Sequence, residues 1–522
     1  MTGSGRTATM LALGAIVALG AVLRAWGIGY GLPHTLTRPD EEMVAARALA
    51  MLQTGRLDPV TFFYPSLFVY LDAAALRAWL AVGVWLGRYR GLDDFLVGML
   101  RGPLVHFLLA RALSAAFGTG TVVVAYFLGR RAGSGRPAGL LAALAVATCY
   151  LHARDAHFAK ADVLMGFFVA LALLFAARAA EGGRLRDFAW GGLCVGLAAS
   201  AKYNGALAAA SLVAAAAFRL GRQPLASVLR PLCAAGALSV AAFLATSPYV
   251  LVRGRAFRAA LGHNSFLLYS GGGALALWEH ARVTLPVGLG WGFTAAAAAG
   301  VAWAAWTRSR PGLVLLAFVL PWCVFAATVR LAYPRYVTPL VAPLAVLAAA
   351  FVCAWARAPA ARALAGVALA LPGLVRTVQF DRVAAATDTR VLAAEWIDGN
   401  LPRRSELLVC AGYGAPEVNE DRRRPPAFRP RTVRCTDPAV LEGAPPFVVT
   451  AEHPALGHWT GTPAVVAAAV RARGVPLAVF SPFREGAGTE PYFSPADAFF
   501  IPFSGLSAVE RGGPIVTIWQ IP

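Results

Sequence analysis

Residues 152–180 read HARDAHFAKADVLMGFFVALALLFAARAA. Five ionisable side chains, Arg154, Asp155, His157, Lys160 and Asp162, crowd the first part, and no charge follows from Val163 to Ala177. An apolar run of that kind matches the hydrocarbon thickness of a bilayer. In lipid, only a helix or a closed barrel satisfies every backbone polar group. The stretch therefore reads as a charged loop at one membrane face that leads into a transmembrane helix.

Working outward, comparable runs occur near residues 8–27, 107–129, 137–152, 188–203, 205–219, 231–250, 285–306, 312–329, 337–356 and 361–376. With 162–180 they make eleven expected spans, a count uncertain by about two. Composition agrees: 58% of the 522 residues are hydrophobic and 14% charged, with a mean hydropathy of +0.61, where soluble domains are nearer a quarter charged. The first run carries Arg6 ahead of it and no convincing cleavage site before Arg24, so it reads as a retained helix instead of a signal peptide. Beyond Phe380 charges return and no run is long enough to span. The expected organisation is a helical polytopic membrane domain over 1–379, with outer loops at about 28–106 and 250–284, and a small soluble α/β domain over 380–522.

The net charge is +20. Residues 1–379 hold 33 Lys plus Arg against 12 Asp plus Glu, and residues 380–522 hold 14 against 15. The excess lies in short turns between apolar runs and forms no single solvated face, which argues against nucleic-acid binding. Arg130, Arg131 and Arg136, then Arg178, Arg184 and Arg186, then Arg219, Arg222 and Arg230, then Arg308 and Arg310, then Arg357 and Arg362 form compact basic turns of the cytoplasmic kind. The opposite loops hold Asp40, Glu41, Glu42, Asp58, Asp155 and Asp162. This threading places the N-terminus in the cytoplasm and the C-terminal domain outside it, in the inner or plasma membrane. Tyr64–Arg90, interrupted by Asp72 and Arg77, is expected to lie in the outer interface as an amphipathic segment.

In the soluble part, helices are expected at Thr389–Asn400, with Leu392, Trp396 and Ile397 on one face, and at Ala464–Arg473. Strands are expected at Glu406–Cys410, Phe447–Thr450, Leu477–Phe480 and Ile515–Ile521. Cys410 and Cys435 would be free to pair in an oxidising compartment, although sequence alone does not show that they meet. Cys149, Cys194, Cys233, Cys323 and Cys353 sit in apolar runs and read as small core residues.

Three outer stretches carry candidate chemistry. Thr37-Arg38-Pro39-Asp40-Glu41-Glu42 has a bland reading as a Pro and acids opening a helix and a sharper one with Asp40 as general base. In Phe63-Tyr64-Pro65-Ser66 the aromatics fit an interfacial anchor. In the loop at 152–162, helix capping accounts for Asp162 but not for Arg154, His157 and Lys160 beside it. Cations gathered there suit a phosphate leaving group. The chain has 45 Arg and only two Lys, Lys160 and Lys202. Lys202, between two apolar runs, is a functional candidate by its depth. Arg330 and Arg335 flank Tyr333-Pro334, where snorkelling toward the interface is the simpler reading.

The stretches RPDEEMVAARAL, FFYPSLFVYL, RALSAAFGTGTVVVAYFLGRR, HARDAHFAKAD, GLAASAKYNG and YPRYVTPLVAPLAVL, in that order over roughly residues 10–355, resemble the protein O-mannosyltransferase and aminoarabinose-transferase type of membrane glycosyltransferase in its bacterial branch. The resemblance implies a GT-C fold. It implies Asp40 as the catalytic carboxylate and Asp162 as a second acid, with Glu41, Tyr64, His157, Lys160, Lys202 and Arg335 at the donor phosphate and substrate. His157 stands where many relatives have Arg. The implied reaction is one inverting displacement from a polyprenyl-phosphate-linked sugar to an unknown glycan, lipid or protein acceptor, with no cofactor or metal. A secondary transporter is the rival expectation. It fits less well, because the acids cluster at one face and the two halves show no repeat. A scaffold protein would leave the outer acids unexplained.

Overall fold

A computed structural model of the chain describes residues 3–133, 135–269, 274–418, 428–495 and 499–522. Part of the expected 250–284 loop, at 270–273, lies outside them. By contacts the chain forms two units, one of residues 1–25, 47–74 and 111–378, the other of 26–46, 75–110 and 379–522.

The first unit is helical. All eleven apolar runs become helical segments. Among the described residues of the whole chain, eight helices are long and apolar enough to cross a membrane, or nine if the pair Ala276–Gly288 and Trp291–Thr307, bent by 120°, is one span. Arg136–Thr148 and Tyr203–Ala217 are shorter apolar helices. The protein is therefore a multi-pass membrane protein. The segment expected in the interface contains a continuous helix, Leu67–Trp85, that is a candidate span by length and composition, while the runs expected to span at 137–152, 188–203 and 205–219 form helices that fall short of that criterion. Asp72, which suggested an interruption, is buried within the protein at 0% exposure.

Close approaches hold the bundle together. Helices Leu185–Ala201 and Leu225–Thr246 meet at Gly192 and Gly196. A Cβ on Gly192 would lie 2.2 Å from the Ala235 carbonyl oxygen, and one on Gly196 would lie 2.2 Å from that of Ser239. This small-residue spacing lets helix backbones touch where lipid supplies no hydrophobic drive for association. Arg24, fully buried near the end of the first helix, donates to the carbonyls of Gly20, Val146 and Ala147 and meets His152 Nδ1 at 2.9 Å. It thereby satisfies the open carbonyls at the end of Arg136–Thr148 and ties the start of the 152–162 loop to the first helix.

The second unit contains a five-stranded mixed sheet. Its strands are β1 (Glu406–Cys410), β2 (Arg429–Val433), β3 (Phe447–Glu452), β4 (Val475–Phe480) and β5 (Ile515–Gln520), in the order β2-β1-β3-β5-β4. β1 runs parallel to β2 and β3, and β5 antiparallel to β3 and β4. Side chains alternate between two cores, as the pleat requires. Leu407, Val409, Val449, Val516 and Ile518 pack with Ala393 and Ile397 of helix Thr389–Asn400, while Leu408, Val448 and Trp519 pack with Val466 and Val470 of helix Ala464–Arg473. The sheet thus lies between two helical layers.

Cys410 and Cys435 form a disulfide, with Cα atoms 5.4 Å apart and 25 residues of sequence separation. Closing a loop of that length constrains the unfolded chain by about 3 kcal/mol. The double variant Cys410→Ser/Cys435→Ser is expected to melt several degrees lower by tryptophan fluorescence. An unchanged melting temperature would remove the bond from the account of this domain's stability.

Candidate active site

In the first unit, Asp162 lies in the first turn of helix Ala161–Gly182 and Lys202 closes helix Leu185–Ala201. Helix electrostatics favour an acid at the first position and a cation at the second. The two side chains, 6% and 12% exposed, form an ion pair with Lys202 Nζ 2.6 Å from Asp162 Oδ1. The ammonium also lies 4.7 Å from the centroid of the Tyr336 ring and 6.0 Å from that of Tyr64, so aromatic faces add to its stabilisation. Lys160 and Arg335 act electrostatically on the same carboxylate. The Arg335 guanidinium stacks over Tyr333 at 4.3 Å. A lysine ammonium has three N–H donors. Asp162 takes one, which leaves donors of a buried, pre-oriented cation to meet oxyanions.

The framework around Lys202 is made of hydroxyls. Thr246 Oγ1 donates to Ser200 Oγ at 2.7 Å, Ser200 Oγ meets Ser247 Oγ at 2.8 Å, and the Ser66 amide donates to Ser247 Oγ at 3.1 Å. Tyr203 Oη donates to the Phe62 carbonyl at 3.0 Å. These bonds fix the Phe63-Tyr64-Pro65 segment against the end of the helix that carries Lys202. Tyr336 is positioned by its carbonyl, which accepts from Trp322 Nε1 at 2.7 Å.

The structure separates the other cations of the 152–162 loop by role. Arg154, 1% exposed, pairs with Asp155 Oδ1 at 3.1 Å, and Asp155 Oδ2 accepts from Thr338 Oγ1 at 2.5 Å. Its charge is already balanced. His157 is fully buried with Nδ1 2.8 Å from the Ala153 carbonyl. Lys160 is 8% exposed.

In the second unit, Asp40 immediately precedes helix Glu41–Thr54 with φ of 77°, a left-handed conformation in a residue other than glycine. A helix cap ordinarily takes an extended conformation, and the left-handed one costs roughly 1–2 kcal/mol. Capping alone therefore does not explain Asp40. Glu41 is fully buried. Glu42 Oε1 accepts from Tyr413 Oη at 2.7 Å. Burial and the charges of Glu42 and Asp40 push the Tyr413 phenol well above its usual range and keep it a donor. The Arg38 guanidinium lies 4.4 Å over Phe499. Ser200, Ser247, Tyr336 and Tyr413 carry this geometry and were not singled out from sequence. Ser200 adjoins Lys202 and Tyr336 adjoins Arg335 in the quoted motifs, but nothing local marks Ser247 or Tyr413. A separate cavity of about 480 Å³ on the C-terminal domain is lined by Arg434, His453, His458 and Thr460 and includes none of the expected site residues.

The chain is a multi-pass membrane protein with a GT-C-like fold. Residues 104–251 match the family model for dolichyl-phosphate-mannose-protein mannosyltransferase. No curated protein matches the chain. Among solved structures, ArnT from Cupriavidus metallidurans bound to undecaprenyl phosphate aligns with a TM-score of 0.55 and 16% identity, over 99% of this chain and 98% of that one. The archaeal oligosaccharyltransferase AglB from Archaeoglobus fulgidus, in complex with an inhibitory peptide and a dolichol-phosphate, aligns with a TM-score of 0.53 and 12% identity, over 92% and 74%. At these identities the likeness shows the fold. The fold and the family match both agree with the resemblance read from the six motifs.

Proposed function

We propose that the protein is an inverting glycosyltransferase that moves a sugar from a polyprenyl-phosphate-type carrier to an acceptor hydroxyl on the non-cytoplasmic face. Asp40 takes the hydroxyl proton as the acceptor oxygen attacks the anomeric carbon. The bond from that carbon to the phosphate oxygen breaks, and polyprenyl phosphate leaves with the electron pair. Lys202, with Lys160 and Arg335, stabilises the developing phosphate charge. Asp162, the second acid, holds Lys202 in place, and Glu41 and Tyr64 complete the donor and substrate surroundings. The observation that carries this reading is Lys202, fixed by Asp162 between two tyrosine rings with N–H donors to spare, inside the segment that matches the mannosyltransferase family.

In this reading residues 1–379 form the membrane domain in the inner or plasma membrane, the N-terminus is cytoplasmic, and 380–522 lie outside. The compact basic turns and the Cys410–Cys435 disulfide support that sidedness. The secondary-transporter alternative is not favoured by the family match. The deciding experiment incubates the purified protein in lipid with a panel of polyprenyl-phosphate sugars and a membrane extract as acceptor source. Release of polyprenyl phosphate is expected with at least one donor. Solute flux into sealed vesicles with no cleavage of any sugar lipid would replace the enzyme with a transporter.

A further inference from the structure

We infer that the C-terminal domain positions the loop carrying Asp40, with Tyr413 and Arg390 as the positioning residues. The inference rests on the proposed role of Asp40 as the base. Several contacts on the segment from Tyr30 to Glu42 come from residues that follow Asp388 in the chain. Arg390 is fully buried and pairs with both oxygens of Asp388, Nε to Oδ1 at 2.8 Å and Nη2 to Oδ2 at 2.7 Å. Its remaining Nη1 bridges two loops, donating to the Leu36 carbonyl at 3.1 Å and to the Tyr413 carbonyl at 2.6 Å. One side chain therefore sets the Asp40 loop and the Tyr413 loop against each other.

Other contacts converge on the same segment. Glu417 Oε1 accepts from the amide and hydroxyl of Thr35 at 2.9 and 2.5 Å. Burial lowers His34 to about 3, so its ring is neutral beside Glu417. Tyr30 packs edge-on against Phe499, the same ring that lies under Arg38. Tyr413 Oη reaches Glu42, two residues past Asp40, and Glu42 Oε2 has no hydrogen-bond partner among the described residues. The phenol is thus the only hydrogen bond seen on that carboxylate. An aspartate in a left-handed conformation persists only where its surroundings over-determine it. Here the bonds on either side of Asp40, at Leu36 and at Glu42, come from the C-terminal domain.

A positioning role predicts a kinetic split, because geometry at the base affects the chemical step and leaves the donor phosphate contacts intact. The full-length protein in lipid, assayed with a polyprenyl-phosphate sugar that supports turnover, is expected to lose about tenfold or more in kcat on Tyr413→Phe, with donor KM within about twofold. Binding of undecaprenyl phosphate alone should be unchanged. The double variant Tyr413→Phe/Glu42→Gln should fall no further than the worse single variant, since the phenol acts through Glu42. Arg390→Lys, which cannot reproduce the bidentate pair and the bridge together, should show the same split. It risks misfolding, whereas removal of one phenol oxygen does not. If Tyr413→Phe keeps wild-type kcat, or changes donor KM alone, while Asp40→Asn is inactive, the positioning role is wrong and the base assignment stands. If Asp40→Asn itself turns over normally, the base assignment falls and takes this inference with it.

Discussion

Asp40→Asn is expected to lower kcat for sugar transfer by about 10² to 10⁴, the range a general base contributes. The substitution is nearly isosteric and leaves the backbone, Glu41, Glu42 and the Tyr413 contact in place. The protein should fold as the wild type does, and any binding of a polyprenyl phosphate should be unchanged. What is lost is the oxygen able to accept the acceptor proton as the new bond forms. The neighbouring acids serve as controls on the same loop: Glu41 is buried at 0% exposure, and Glu42 is engaged by Tyr413. Normal turnover by Asp40→Asn together with a loss in Glu42→Gln larger than that of Tyr413→Phe would move the base along the chain. Initial rates of polyprenyl phosphate release, measured on detergent-purified variants, decide the matter.

Replacing Lys202 is expected to have two effects that can be separated. Lys202→Met removes the partner of a carboxylate that is 6% exposed, and breaking a buried pair from one side costs about 3–5 kcal/mol. Lys160 and Arg335 still act on Asp162, which argues for the lower end. The same change removes the donor proposed to meet the phosphate, a loss worth about 10² to 10³ in rate. The double variant Lys202→Met/Asp162→Leu removes both charges of the pair, so thermal stability should return in part while transfer does not. Recovery of transfer along with stability would make the pair purely structural and remove Lys202 from the phosphate site.

Much of the fold is legible in the sequence for a simple reason. Lipid forces long uninterrupted apolar runs, and all eleven of those runs are helical, although the helices long and apolar enough to cross number eight or nine among the described residues. Leu67–Trp85 is harder to read. A carboxylate such as Asp72 looks the same in sequence whether it faces head groups or is enclosed by protein, and only packing distinguishes the two. In the C-terminal domain, β1, β3, β4 and β5 announce themselves by apolar content. β2 does not. Its residues RPRTV are exposed or half-buried at the edge of the sheet, with a proline and two arginines, which are features that protect an edge from pairing with other chains and hide it from a pattern search. The site divides along the same line. Asp162 and Lys202 stand out because charge in an apolar setting is rare. Tyr413 and Arg390 meet the first outer loop across 371 and 354 residues of chain, and no local signal reports a contact of that range.

The grouping of residues 26–46 and 75–110 with 379–522 bears on biosynthesis. During translation the Asp40 loop leaves the ribosome among the first segments, yet the groups that anchor it are among the last to be made. Closing such distant partners is slow and leaves intermediates exposed along the way. If Asp40 is the base, as proposed, activity should arrive only after residues 379–522 have been made and have met the Asp40 loop.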